Sequence, residues 1–352
     1  MKYFLEETIG KENIKIAEKP FYKKDNEENI IIRHKIKYKE KDFEYNEILE
    51  KAKNKKVLII CNTVRRSQDV YIKLKEKNKQ NTEINLLHSR FIFEERKEKE
   101  TKIQEFAPTK EEKRNNDAGI WISTQIVEAS LDIDFDVLYT DMCAADSLLQ
   151  RMGRCYRNRI YKKDEPNIFI YDTKVGLGTV YDKYIFEFSV EHIQEYNNKI
   201  FTEEDKQDYI NKVYDIEKLK NIDNKNSYYN TIKKNIEDLE IFPIGGIDKG
   251  TAEEQFRNIK NITVIPRIFY NELNKKNIFQ KYEEAFGEDK IDIIDEIMDY
   301  TLSAPLYFRE YCIKEIKNKG LEHIFISNLK YDKELGLIKE LDEKLEFENR
   351  CI

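Results

Sequence analysis

The stretch Asp141–Arg159, DMCAADSLLQRMGRCYRNR, gathers Gln150, Arg151, Arg154, Arg157 and Arg159 around one glycine, Gly153. Guanidinium groups carry planar forks of N–H donors that match phosphate oxygens, so a cluster of this kind suits phosphate binding. The phosphate would belong to a nucleotide or to a nucleic acid strand. The plain alternative for Arg157 and Arg159 is a solvated helix end, where cations favour the dipole. Upstream, four polar groups each close a short apolar run: Asn62-Thr63, His88-Ser89-Arg90, Ser123-Thr124-Gln125 and Asp141. Short polar side chains and free backbone N–H groups at such ends also suit phosphate oxygens.

The elements that must position these residues follow from periodicity. Val57–Cys61 is a continuous apolar run, as expected of a strand covered on both faces. Thr63 then stands where it can cap a helix that carries Val70, Tyr71 and Leu74 on one face. Further strands are expected at Ile84–Leu87, Gly119–Ser123, Val137–Thr140 and Ile168–Tyr171, with helices over Glu94–Phe106 and Ser147–Cys155 and a polar loop over Thr109–Ala118. Strands alternating with helices predict an α/β fold with a parallel sheet, and ligands of such sheets meet the loops at the carboxyl ends of the strands.

The expected organisation is a lead-in over residues 1–45, which includes a strand-like run at Asn29–Ile32, a parallel-sheet domain over 46–172, a helical linker region over 173–250 and a C-terminal domain over 251–352. In the last, Thr251-Ala-Glu-Glu254 reads as a capping box, and Thr263–Ile265 as a strand stopped by Pro266. The remainder is expected to be helical.

Composition sets outer bounds. A chain of 352 residues is long enough for two domains. With 37% charged residues and 40% hydrophobic ones, it fits a folded, heavily charged protein. A net charge of −6 argues against a generic nucleic-acid coat protein, yet 62 Lys and Arg leave room for a local basic groove. The five cysteines, Cys61, Cys143, Cys155, Cys312 and Cys351, are scattered and show no zinc-ligand spacing. Reduced thiols, a cytoplasmic location, no metal and no membrane association are the expectation. Asp132 and Asp134 could pair at a metal, but one DID tripeptide without other ligands is weak support. Trp121 reads as core, and His88 as either a loop histidine with a backbone partner or a contact residue.

Taken together, the segments resemble the second RecA-like domain of superfamily 2 helicases of the DExH type. Asn62-Thr63-Val64 resembles motif IV, LHSRF (Leu87–Phe91) the element after it, and ISTQIVEASLDIDFDVLYTD (Ile122–Asp141) motif V. QRMGRCYR (Gln150–Arg157) matches the motif VI pattern Q-R-x-G-R-x-x-R. The wording NTV, LHSRF and TQIVEASLDID, with AEEQFRNIKNITVIP (Ala252–Pro266), narrows the resemblance to the helicase-nuclease recruited by the type I CRISPR surveillance complex. An RNA helicase usually carries Gly-Ile-Asp where Ser130-Leu131-Asp132 stands.

The resemblance implies an ATP-dependent single-stranded DNA translocase. Arg154 and Arg157 would be arginine fingers that neutralise charge developing on the γ-phosphoryl group. Gln150 would orient the attacking water or touch the γ-phosphate. Asp132 would contact the ribose or link ATP state to DNA grip, and Arg151 would pair with an interdomain carboxylate near the nucleotide. Thr63, Ser89, Arg90, Thr124 and Gln125 would contact the DNA backbone. The implied cofactor is ATP with Mg²⁺. The implied partners are single-stranded DNA, an N-terminal helicase/nuclease half in cis or trans, and the surveillance complex.

This chain has no G-x-x-x-x-G-K-[ST] and no D-E-x-H or D-E-A-D segment, and none of His34, His88, His192 and His323 is followed by Asp. The chain is therefore expected to be a piece or split subunit that is inactive alone. The alternatives are a non-catalytic DNA-binding or complex-docking module and part of another superfamily 2 helicase.

Overall fold

The computed structural model describes residues 6, 10–15, 32–129, 131–225, 227–241 and 261–342. Its centre is a sheet of β1 (Ile36–Lys39), β2 (Lys56–Ile60), β3 (Ile84–Leu87), β4 (Gly119–Ser123), β5 (Val137–Asp141) and β6 (Ile168–Tyr171). The strand order is β1-β6-β5-β2-β4-β3, and every pairing is parallel. β2, β4, β5 and β6 are buried at every position, as continuous apolar runs covered on both faces require. The five expected strands are all present to within a residue or two. β1 is an addition: its sequence IKYK alternates apolar and lysine residues at the sheet edge, with Ile36 and Tyr38 turned inward.

The helices between the strands are α1 (Tyr45–Lys51), α2 (Val64–Lys77), α3 (Phe93–Phe106), α4 (Ile126–Ala129) and α5 (Ala145–Met152). Thr63 caps α2, its hydroxyl accepting from the backbone N–H of Arg66 at 3.2 Å. α5 stops at Met152 with Gly153 as C-cap, three residues before the expected end. The chain then turns onto the start of β5. Phe135 N donates to Arg154 O at 2.9 Å and Tyr156 N to Phe135 O at 3.1 Å. Two apolar layers sandwich the sheet, one centred on Leu58, Trp121, Leu138 and Ile170 and the other on Val57, Ile59, Tyr139 and Tyr171.

Helices α6 (Lys183–Ile193), α7 (Glu203–Val213), α8 (Ile216–Lys220) and α9 (Tyr228–Ile241) follow. The expected capping box Thr251–Glu254 and the strand-like Asn29–Ile31 lie outside the described residues. β7 (Asn261–Pro266) fulfils the strand expected at Thr263–Ile265, and α10 (Arg267–Lys275), α11 (Ile278–Glu284) and α12 (Glu288–Asp299) continue as helices. The expectation of a helical remainder then fails. β8 (Leu302–Pro305), β9 (Cys312–Glu315) and β10 (Ile324–Ser327) join β7 in a mixed sheet of order β8-β7-β10-β9. β11 (Leu329–Asp332) and β12 (Gly336–Leu341) form a hairpin beside it. These strands are short, and several of their residues face solvent, so their apolar pattern is faint.

The mixed sheet is locked onto the loop that follows β3. Ile92 sits inside the C-terminal apolar cluster. Phe93 N donates to Thr301 O at 2.8 Å, Leu337 N to Arg90 O at 2.9 Å, and Ile92 N to the Tyr331 hydroxyl at 3.0 Å. From α2, the Gln68 amide donates to Leu335 O at 2.6 Å. Gly336 makes this approach possible: its φ is +68°, and a Cβ there would stand 2.6 Å from Arg90 O and 2.9 Å from His88 Cε1.

Gly336→Ala therefore combines left-handed backbone strain with a clash against main chain, and is expected to cost about 2–4 kcal/mol. Gly178→Ala, at φ +72° with nothing within 4 Å, is expected to lose only about 1 kcal/mol from strain. Urea melts of the two variants compare them, and equal losses would refute the packing reading of the Gly336 contact.

Candidate functional site

The arginine cluster divides into buried and exposed members. Arg151 is fully buried. Its Nε donates to the Glu128 carboxylate at 2.7 Å, Nη1 to Thr140 Oγ1 at 2.8 Å and Asp141 O at 3.1 Å, and Nη2 to the Tyr181 hydroxyl at 2.8 Å. This corrects the expectation for Arg151: its partner is a carboxylate of the same domain, and the group is enclosed instead of facing a nucleotide. The charge could be buried only where a carboxylate and three neutral acceptors surround it. Burial raises the Glu128 carboxyl above its ordinary value, while Arg151 opposes that rise.

Arg154 is half-buried. Its Nη1 donates to Leu131 O at 2.5 Å and Nη2 to Glu128 O, so it clasps the main chain of the segment from α4 to β5. Its Nε is buried with no partner. Burial, with Arg157 nearby, lowers the guanidinium below its usual range. Arg157 is exposed enough to exchange partners: its side chain is 37% accessible and lies 3.3 Å from the Asp132 carboxylate, which is itself 64% accessible. Asp132 also accepts from Thr109 Oγ1 at 2.6 Å. Gln150 is exposed on the last turn of α5. Arg154, Arg157 and Asp132 thus share one neighbourhood, and Gln150 stands on the last turn of α5, just before the two arginines in sequence.

Arg159 belongs to a different arrangement. It grips the buried Asp134 through Nε at 2.7 Å and Nη2 at 3.0 Å, and Asp136 through Nη1 at 2.8 Å. Arg114 reaches Asp136 at 2.6 Å from the other side. Asp134 also accepts from Arg157 N at 3.0 Å. These aspartates therefore anchor the chain after α5. Among the described residues, no group of three or more His, Cys, Asp or Glu is arranged to hold a metal ion.

The residues expected to meet DNA fare unequally. Thr63 and Ser89 are partly exposed, although the Thr63 hydroxyl is occupied as a cap. Thr124 is only 4% accessible and Arg90 only 9%. The Gln125 amide donates to Asn62 O at 2.8 Å and approaches the Tyr181 hydroxyl at 3.4 Å. Thr124 and Arg90, both expected to contact the DNA backbone, therefore present little surface. Asp141 is buried too, accepting from Asn62 N at 3.1 Å and Thr173 Oγ1 at 2.9 Å, with Arg66 Nε at 3.5 Å. Sequence reasoning missed Glu128 and Tyr181, the partners of Arg151. A lone Glu on a four-residue helix and a Tyr beyond the last strand give no sign of either role.

The all-parallel sheet and the order of its strands define the class: a RecA-like α/β domain. Residues 53–160 match the family model described as CRISPR-associated nuclease/helicase Cas3, C-terminal. Those residues are thus similar to the C-terminal part of that family. The chain is 29% identical over 287 residues to the CRISPR-associated nuclease/helicase Cas3 of Methanothermobacter thermautotrophicus, covering 75% of this chain and 33% of that protein. It is 47% identical over 103 residues to the CRISPR-associated endonuclease/helicase Cas3 of Escherichia coli K12, covering 29% of this chain and 11% of that protein. The chain thus spans about a third or less of these relatives. The fold is similar to that of T. fusca Cas3-AMPPNP, with a TM-score of 0.63 at 16% identity, over 92% of this chain and 43% of that one. It is also similar to a chain of a CRISPR RNA-guided surveillance complex, pre-nicking, with a TM-score of 0.58 at 17% identity, over 87% of this chain and 44% of that one.

Two outcomes follow from the charges. Arg151→Met leaves Glu128 buried and unpaired, so a loss of about 3–5 kcal/mol in stability is expected, against no more than about 0.5 kcal/mol for Arg157→Met. Equal denaturation midpoints for the two would contradict this division.

The second concerns His88, stacked on Phe91 at 4.5 Å and fully buried. Desolvation, with Arg90 nearby, pushes its imidazole down to about 3. The unfolded chain takes up that proton near pH 6.5 and the folded protein only near 3, so stability falls as pH drops through this window. The loss is about 1.4 kcal/mol per pH unit below 6.5. His34 shifts in the same direction. Removing one of these groups in His88→Gln is expected to flatten, without abolishing, the decline in melting temperature between pH 6.5 and 5. An unchanged slope would show that His88 is not a source of it.

Proposed function

We propose that this chain is the second motor domain, with its attached C-terminal domain, of an ATP-dependent single-stranded DNA translocase acting in type I CRISPR interference. The observation that carries the reading is the pairing of Arg157 with Asp132 at the protein surface, beside Arg154 and Gln150. An exposed ion pair of this kind contributes little to stability, so its guanidinium is available to a more highly charged partner. A nucleotide phosphate is such a partner.

The residues present fit ATP. Arg154 has a buried Nε without a partner, and its two other bonds go to neutral carbonyls, leaving its charge uncompensated by a direct carboxylate. Arg157 and Arg154 would hold the terminal phosphoryl group, Gln150 would orient the attacking water, and Asp132 would release Arg157 and face the ribose. ATP supplies the phosphoanhydride whose hydrolysis drives movement. The first motor domain, in cis or in trans, would supply the phosphate loop and the Mg²⁺ ligands. Thr63 and Ser89 would touch the DNA backbone, and Gln125 would tie motif V to the loop after β2. The ATP analogue named with T. fusca Cas3 and the surveillance complex named with the other relative support the same cofactor and partner here.

The purified chain alone is expected to hydrolyse ATP negligibly. Adding a polypeptide that carries the first RecA-like domain is expected to produce DNA-stimulated, Mg²⁺-dependent hydrolysis, lowered by about 10³–10⁵ in Arg154→Ala or Arg157→Ala. DNA-dependent hydrolysis by the chain alone, lost in Arg154→Ala, would overturn the divided-site reading. Full activity of both variants in the mixture would overturn the arginine assignment.

A further inference from the structure

Arg90 carries a charge that none of the described residues neutralises. It is 9% accessible, its guanidinium lies 4.5 Å from the centre of the Phe308 ring, and its hydrogen-bond partner is the Tyr307 hydroxyl, at 3.4 Å from Nη2. Burial lowers it below the usual arginine range. Lys339 on β12 places its ammonium 5.3 Å from the Tyr307 ring and 5.2 Å from the Tyr311 ring. Neither cation has an ion-pair partner among the described residues. Tyr307 and Phe308 are 5.0 Å apart, and Phe308 and Tyr311 6.0 Å. Tyr307 is 55% accessible, a large exposure for an aromatic ring with two cations beside it. On β12, Lys339 and Glu340 alternate, so the nearest acid in sequence points away from the rings.

We infer that Arg90, Tyr307, Tyr311 and Lys339 form a stacking platform for an unpaired base of single-stranded DNA, with the two cations taking the flanking phosphates. Exposed aromatic faces give purchase to any base, and adjacent cations track the backbone; this combination defines sequence-tolerant single-strand binding. Charge complementarity selects a polyanion over an apolar partner, since a hydrophobic segment would bury Lys339 and leave Arg90 unpaired. The platform is also continuous with the β3 loop through Arg90. It rests on the reading of the chain as a DNA motor domain and deepens it by naming where a base sits. It also accounts for the chemistry of Arg90, which packing alone leaves as a buried charge without a counter-ion.

Fluorescence anisotropy with a labelled oligothymidylate tests this on the full chain. Tyr307→Ala is expected to weaken binding about tenfold, while Tyr307→Phe, which keeps the ring, stays near wild type. Lys339→Gln is expected to reduce the slope of log affinity against log salt by about 0.7, the share of one phosphate on a single strand. Duplex DNA, whose bases are already stacked, is expected to be insensitive to Tyr307→Ala. Tyr307 is exposed, and thermal melts confirm that the variants stay folded. If the wild type binds and Thr63→Ala or Ser89→Ala weakens it while Tyr307→Ala does not, the platform is refuted and the motor reading stands. If no single-stranded DNA binds, with or without the first RecA-like domain, the motor reading fails and the platform with it. Loss of self-association in Tyr307→Ala, with DNA affinity unchanged, would assign the face to a second copy and overturn the inference.

Discussion

The site is organised around the guanidinium of Arg151. A cation with no solvent access is tolerable only when its donors are met, and here α4 supplies Glu128, β5 supplies Thr140 and Asp141 O, and the loop beyond β6 supplies Tyr181. The four bonds converge from three elements, so the position of α5 is fixed relative to the ends of β4 and β5. Tyr181 receives Arg151 and lies within 3.4 Å of Gln125, which in turn holds Asn62 O. One buried charge thereby couples the loops after β2, β4 and β6. An apolar side chain of similar volume would satisfy packing but would dictate none of these directions, because dispersion contacts do not discriminate orientation as hydrogen bonds do.

A second clasp holds the other end of the same segment. α5 is only two turns long, and the chain after it would fray without tertiary support. Arg159 and Arg114 close over Asp134 and Asp136 at the start of β5, and the Arg159 guanidinium also covers the Tyr156 ring at 4.0 Å. Tyr156 sits at φ +49°, a left-handed conformation that a bulky residue adopts only when its surroundings over-determine it. Between the two clasps run Gly153, Arg154 and Arg157. An arginine on a segment held at both ends has little freedom to lose on meeting a ligand, which is the benefit of a rigid support.

Much of this was legible in the sequence, for identifiable reasons. Parallel strands buried on both faces must be apolar throughout, so Val57–Ile60 and Gly119–Ser123 announce themselves. The spacing of Gln150, Gly153, Arg154 and Arg157 is local and survives as a pattern. β1 was not legible, because an edge strand with alternating lysines resembles a charged loop. The C-terminal strands were not legible, because four-residue strands such as β9 leave most of their residues in solvent. Nor could sequence separate the buried arginines from the exposed ones. Arg151 depends on Tyr181, 30 residues on, and Arg90 on Tyr307, 217 residues on; their environments are products of tertiary packing that no local pattern encodes.

Charge compensation then separates the cations of the chain into two kinds. Arg159 and Arg151 meet carboxylates at short range inside the protein, and a ligand phosphate would have to break a buried pair to reach them, at a cost of several kcal/mol. Arg157 meets its carboxylate in solvent, where the pair contributes little and can be exchanged. Arg90 and Lys339 meet aromatic faces, which attract a cation without cancelling its charge. The first pair supports the segment after α5. The last three retain charge that a polyanion would satisfy, and they fall into two groups: Arg157 beside Arg154 at the motif VI segment, and Arg90 with Lys339 where the β3 loop meets the C-terminal sheet. That loop is hydrogen-bonded to the C-terminal sheet through Arg90 O, Ile92 N and Phe93 N, and it shares a domain with the segment bearing Arg157.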